Sequence, residues 1–327
     1  MLAVLVKRPR RQGIPMTIGR TWLVLTLFSA SIAGWGPPLE AAERPALPAG
    51  KRLVDPQELM RRMFGEETEA DRAALEQVEI SREEERKIGQ AALQAFLAEM
   101  NRQGIRVVSR GREVEYLRDL VEMTKPLMTR RDRYRTISVY LADAPPCEAK
   151  SFPGGTLVFF QGMLDAGPSE AALVGAVGHE LAHLDRGHQL TRARRFKLAQ
   201  QTLSGQRAPA FSPEQFFASG TAMMRLWTRP FSPEDEATAD RDGARWAYVL
   251  GYDPRELAKL VEKLPQRRFP PVPVPDFLQS HPDPERRAKA ILDEYEKLQQ
   301  ADPKPRLYVG EENLRRRIAR SRRAFRR

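Results

Sequence analysis

His179-Glu180-Leu181-Ala182-His183 sets two imidazoles and a carboxylate within little more than one helical turn. Residues four apart on an α-helix lie about 40° apart around its axis, so His179 and His183 face one point in space. Glu180 flanks that face, where a carboxylate can reach a metal-held water without binding the metal. This is the H-E-x-x-H spacing that holds zinc and activates water. The bland alternative is a pair of histidines on a helix surface. The preceding run, Ala171 to Gly178, is apolar all round and predicts a buried helix instead. A buried helix has no cheap place for two imidazoles and a carboxylate unless something such as a divalent cation satisfies them.

A catalytic zinc takes three protein ligands and keeps a place for water. His188 follows His183 by five residues, an offset of about 140° around a continuing helix. It also misses the metzincin spacing, in which the third histidine comes six residues on. His188 therefore reads mainly as a helix-end residue facing terminal carbonyls, with ligation as the lesser alternative. A better source lies downstream in Ser232-Pro233-Glu234-Asp235-Glu236-Ala237-Thr238-Ala239-Asp240. Glu236 and Asp240 are four apart, so one helix face presents two carboxylates. One can bind zinc while the other accepts the remaining ring N–H of a ligand histidine. An acidic first turn favoured by the helix dipole explains the same residues without a metal.

These residues need a frame. Pro168-Ser169-Glu170 is a helix start, with Ser169 or a neighbour as cap. Helices are predicted near 56–64, 70–102, 112–127, 168–186, 234–250, 254–264 and 283–300, and strands near 136–141 and 156–160. The fold class is α+β, mostly helical, with a small β-sheet and an H-E-x-x-H helix. Residues 203–231 join the two metal-type helices and carry Phe211, Phe216, Phe217, Met223, Met224 and Trp227. A lid over the cleft and an ordinary helical insert both fit them. Pro270 to Pro275 reads as a stiff extended connector that places His281.

The order of these motifs resembles the gluzincin peptidases grouped as metallopeptidase family 48. That family includes the CAAX prenyl proteases and the HtpX-like, BepA-like and Oma-like proteases. His-Glu-x-x-His, then Glu236-x-x-x-Asp240, then Gly251-Tyr252-Asp253-Pro254 carry the resemblance. Val78 to Gly89, Ser151-Phe152-Pro153-Gly154-Gly155-Thr156-Leu157-Val158, and Ser280-His281-Pro282 with Arg287 extend it to about residues 78–300. It is most similar to exported bacterial members without a tandem helical-repeat domain. The resemblance implies one zinc ion per chain, held by His179, His183 and Glu236, with Glu180 as general base. It implies Asp240 as partner of a ligand histidine, and His281 and Arg287 as catalytic groups near substrate or metal. It further implies endopeptidase action on unfolded or extended polypeptide and a role in envelope protein quality control. Gly155, Thr156, Leu157 and Val158 open a strand expected to pair with extended substrate, although an ordinary core strand fits them too. One departure stands out: the Asn-Ala pair common before Pro-Gly-Gly is Glu148-Ala149 here.

Composition fits an exported enzyme. The chain carries a formal +11. Residues 1–20 and 303–327 together hold +13, which leaves −2 for residues 21–302 and argues against nucleic-acid binding by the body. Residues 1–42 pair a basic start with an apolar run over Trp22–Trp35. They read as a signal peptide or an uncleaved anchor, with a mitochondrial presequence as a lesser alternative. Residues 43–77 read as linker and short helix, 78–300 as the peptidase domain and 301–327 as a basic tail. Eight arginines in the last thirteen residues predict a solvated tail or one drawn to an anionic membrane surface. The lone Cys147 permits no disulfide within the chain. Two rival functions remain at this level. One is a non-catalytic, metal-stapled binding or chaperone-like protein, against which Glu180 argues. The other is a membrane-tethered processing protease with a single substrate.

Overall fold

Ser81 parts a stretch that its composition predicts as one helix. Its hydroxyl accepts the Glu84 N–H at 3.1 Å while the Glu84 carboxylate accepts the Ser81 N–H at 2.9 Å. This reciprocal cap satisfies two orphan donors and starts a new helix there. The computed structural model, which describes residues 69–204, 231–263 and 284–322, therefore opens with α1 (Glu69–Glu76) and α2 (Arg82–Arg102). Leu75 of α1 is buried, so part of the stretch assigned to the linker belongs to the folded body. The expected leader or anchor, the helix near 56–64, residues 205–230 of the lid segment, the proline connector, His281 and residues 323–327 lie outside the described residues.

Four strands form one sheet in the order β1 (Val107–Val108), β2 (Ser138–Ala142), β4 (Thr156–Phe160), β3 (Ala149–Phe152). β2 and β4 run parallel, and the other neighbours are antiparallel. Alternate residues face opposite sides. Val139, Leu141, Leu157 and Phe159 join the core that includes Leu117 and Leu120 of α3 (Arg112–Thr124). Phe152, Val158 and Phe160 join Phe96 of α2 in a second core, with Phe96 ring centroids 5.6 Å from Phe152 and 6.2 Å from Phe160. Both faces are covered, so the strands read as apolar runs rather than clean alternation. Gly89 lets α2 pass beneath the β3–β4 turn, since a Cβ there would lie 1.8 Å from the Pro153 carbonyl oxygen.

The sheet order corrects one expectation. β4 pairs with β2 on one side and β3 on the other, so Thr156, Leu157 and Val158 have no free backbone edge for a substrate. Gly155 sits in the turn at φ 90°. The outer edge on that side belongs to β3, which the sequence did not announce as a strand.

The short α4 (Gln161–Ala166) leads into α5 (Glu170–Asp185), in which all sixteen residues are buried. Ser169 caps it, accepting the Ala172 N–H at 3.3 Å. Gly187, at φ 85°, turns the chain directly into α6 (His188–Ser204). α7 (Pro233–Val249) lies along α5, α8 (Arg255–Lys263) packs on α5, and α9 (Pro284–Ala301) packs on α7 and α8. The α5–α7 seam is glycine on both sides. A Cβ on Gly178 would come 2.9 Å from Gly243 Cα, and one on Gly243 would come 2.6 Å from the Gly175 oxygen.

The expected basic tail is largely folded. Val309 and Gly310 offer their carbonyls to the N–H groups of Ala171 and Glu170 at 3.0 and 3.2 Å, serving the open donors of α5. The short α10 (Glu311–Arg316) follows, with Leu314 and Ala319 buried. Arg322 forks onto Asp119 at 2.6 and 2.7 Å, and Arg317 reaches Asp165 at 3.2 Å. A few apolar anchors and matched carboxylates draw the arginines onto the body. Among the described residues, no helix is long and apolar enough to cross a membrane.

Candidate metal centre

The glycine seam brings the first turn of α7 against the second half of α5. Pro233 starts α7 under a Ser232 cap whose hydroxyl accepts the Asp235 N–H at 3.1 Å. Glu236 and Asp240 then share one face. The Nε2 atoms of His179 and His183 lie 3.0 Å apart. Glu236 Oε2 is 3.6 Å from His179 Nε2, and its Oε1 is 3.6 Å from His183 Nε2. All three side chains are buried, at 4%, 0% and 2% exposure. They form a group able to hold a metal ion.

The donor set fits zinc. His179 Nδ1 lies 2.8 Å from Asp240 Oδ1, which places the ring proton on Nδ1 and leaves Nε2 bare. With His179 Nε2 bare, His183 Nε2 at 3.0 Å either donates to it or, bare as well, faces it and the carboxylate across the place of a cation. Ligands about 2.0–2.1 Å from a tetrahedral zinc stand about 3.3–3.4 Å apart, close to the three edges seen here.

Asp240 is itself clamped. Arg287 on α9 donates from Nε and Nη2 to its two oxygens, each at 2.8 Å. Burial alone would raise the Asp240 carboxyl, but Arg287 and His179 overcome it and hold the group well below its ordinary range. Burial likewise works against the Arg287 charge, and Asp240 more than restores it. Arg287 also lies 3.7 Å from Glu236 Oε2. Its guanidinium is engaged behind the ligands, on the metal side of the expected placement near substrate or metal. Glu180 is buried one residue along α5 from His179.

Sequence reasoning missed several neighbours. His188 is not a helix end but the first residue of α6, and its Nδ1 lies 2.8 Å from His183 Nδ1. Its Nε2 is 3.2 Å from Asp235 Oδ1. Burial pushes the His188 imidazole below its ordinary value, against the pull of Asp235 and Glu236. Phe231 stacks on the His183 ring at 3.9 Å, and the Arg192 guanidinium lies 3.5 Å over Phe231. On β3, Lys150 is buried with its Nζ 3.6 Å from Glu148 Oε1. Burial pushes its ammonium down, while Glu148 and Glu180 oppose the shift. The one departure noted nearby in the sequence, Glu148-Ala149, announced neither the strand nor the buried lysine.

Comparison with known proteins agrees with the geometry. The model of Peptidase family M48 matches residues 118–295, more than half the chain. The mitochondrial metalloendopeptidase OMA1 of Arabidopsis thaliana is 28% identical over 156 residues, 47% of this chain and 30% of the relative. The beta-barrel assembly-enhancing protease of Escherichia coli is 28% identical over 158 residues, 45% of this chain and 32% of the relative. The chain thus spans about a third of the length of these curated relatives.

Proposed function

The chain belongs to peptidase family M48, and from that premise we propose that it is a zinc-dependent metalloendopeptidase acting on extended polypeptide. His179, His183 and Glu236 are assigned as metal ligands and Glu180 as general base. The observation that carries this reading is the convergence of three buried lone-pair donors at 3.0–3.6 Å, with a carboxylate one residue after the first.

Bound there, zinc would supply Lewis acidity that lowers the pKa of water from about 15.7 towards about 7 and polarises a peptide carbonyl. Glu180 takes the proton of the attacking water and delivers it to the leaving nitrogen. Asp240, held by Arg287, keeps His179 in the tautomer whose Nε2 is free to ligate. We assign the outer edge of β3, whose four residues are buried in the chain alone, as the ladder for extended substrate. Glu148 points its carbonyl inward to the Phe160 N–H at 3.0 Å, so by alternation the backbones of Ala149 and Ser151 face outward. The Ser151 carbonyl already accepts from Gln189 Nε2 at 2.6 Å. Backbone pairing of this kind gives affinity with little side-chain selectivity.

The wider role we assign is quality control of misfolded or misassembled proteins in a bacterial envelope, after export. The similarity to the beta-barrel assembly-enhancing protease of Escherichia coli supports it. Glu180→Gln should bind zinc and fold as the wild type does, yet cleave an unfolded casein-type substrate about 10²–10⁴-fold more slowly. Full cleavage by that variant would remove Glu180 as base, whereas a chaperone-like activity surviving in it would favour a metal-stapled binding protein.

A further inference from the structure

The contact between His183 and His188 fixes more than packing. Two imidazole nitrogens 2.8 Å apart must share one proton. If Nε2 of His183 is to offer its lone pair beside His179 and Glu236, its single proton sits on Nδ1 and is donated to His188 Nδ1. His188 then carries its own proton on Nε2, 3.2 Å from Asp235 Oδ1. The opposite tautomer of His188 would set two N–H groups head to head. Each assignment forces the next, and the chain ends on a carboxylate.

We propose that His188 is a positioning residue for the metal ligand His183, the middle of a hydrogen-bonded chain from His183 through His188 to Asp235. This rests on the metal reading above and deepens it. His188 is not a ligand in this arrangement, because it meets His183 through Nδ1 while the metal-facing atom of that ring is Nε2. The turn at Gly187 makes it possible by swinging the first residue of α6 back against α5. The Phe231 ring, stacked at 3.9 Å, restrains the same imidazole from its face.

The two ligand histidines are therefore backed differently. His179 donates directly to a carboxylate, which makes it the more basic ligand. His183 donates to a neutral imidazole, with the carboxylate one step farther away. One firm and one softer donor leave the ion more electrophilic than two carboxylate-backed imidazoles would.

The test compares wild type, His188→Ala and His188→Asn by zinc affinity in competition with a chromophoric chelator, by the visible spectrum of the cobalt(II) form, and by melting of the metal-free protein. In Asn the side-chain oxygen stands where Nδ1 stood and still accepts from His183. Alanine should weaken zinc binding about 10–100-fold and shift the cobalt bands, with asparagine restoring both towards wild type. The proposal is overturned if alanine binds zinc as tightly as wild type, or if asparagine is as weak as alanine. It is also overturned if the variants differ from wild type only in metal-free melting. A wild-type protein that binds no zinc would overturn the metal reading itself, a result distinct from any of these.

Discussion

Replacing Gly243 with alanine tests how the fold sets the metal distances. The added Cβ would lie 2.6 Å from the Gly175 oxygen, 3.0 Å from the His179 nitrogen and 3.4 Å from His179 Cα. Comfortable contact between such atoms begins near about 3.5 Å, so α7 must retreat by roughly 0.5–0.9 Å. The obstacle is backbone in the middle of a buried helix and cannot rotate away. Glu236 lies seven residues earlier on the same helix and moves with it. Donor positions in a metal site tolerate displacements of only about 0.2 Å. The variant should therefore lose about 1–3 kcal/mol of stability to overpacking, and bind zinc about 10–100-fold more weakly. Chelator competition measures the second, and urea unfolding in excess chelator measures the first. A folded Gly243→Ala protein with wild-type zinc affinity would refute the idea that the glycine seam sets the ligand spacing.

Three further outcomes follow from groups that are not themselves metal ligands. Arg287→Met leaves Asp240 buried without its cation and should cost about 3–5 kcal/mol in urea unfolding; adding Asp240→Asn should recover part of it, and strictly additive losses would deny the coupling. Burial pushes the Glu170 carboxyl above its ordinary 4.5, against the hydrogen bond from Tyr252. Its folded pKa is raised, so its contribution is whole below about pH 4.5 and lost as pH rises through the folded value; Glu170→Gln should flatten that part of the stability profile, and parallel profiles would count against it. Leu314→Ala, 5% exposed in the folded carboxyl-terminal segment, should cost about 2–5 kcal/mol, whereas a freely solvated tail would lose nothing.

Some of this molecule was legible from its sequence for clear physical reasons. The Ala171–Gly178 run forecasts a buried helix because nothing polar interrupts it, and α5 is buried throughout. The Glu236 and Asp240 spacing forecasts a shared face, but not which carboxylate meets the imidazoles. That choice depends on how α7 is seated on α5, a tertiary matter decided at Gly178 and Gly243. His188 was misjudged because its offset was measured along a helix that Gly187 ends. β3 was invisible because its residues, Ala149, Lys150, Ser151 and Phe152, include a buried lysine that pattern reading sends to the surface. The carboxyl-terminal arginines were read by density, when Asp119, Asp165 and a few apolar anchors decide where they lie.

The two helices that carry the candidate ligands are secured unequally. α5 is fastened at its start by Ser169 and by the carbonyls of Val309 and Gly310, and along its length by the seam with α7. At its end Arg186 forks onto Asp242 at 2.6 and 2.8 Å. His179 and His183 thus ride on an element whose position is determined from several directions. Glu236 instead occupies the first turn of α7, where the intrahelical ladder is only beginning and Ser232 supplies the cap. Among the described residues, polar groups of the site itself reach that turn: His188 at Asp235, Arg287 at Glu236, and the two imidazoles. A cation bound by all three ligands would tie that turn of α7 directly to α5. All three donors nevertheless converge in the chain itself, with Glu236 buried 3.6 Å from each Nε2, so the seam and the caps prearrange the carboxylate as well as the histidine pair.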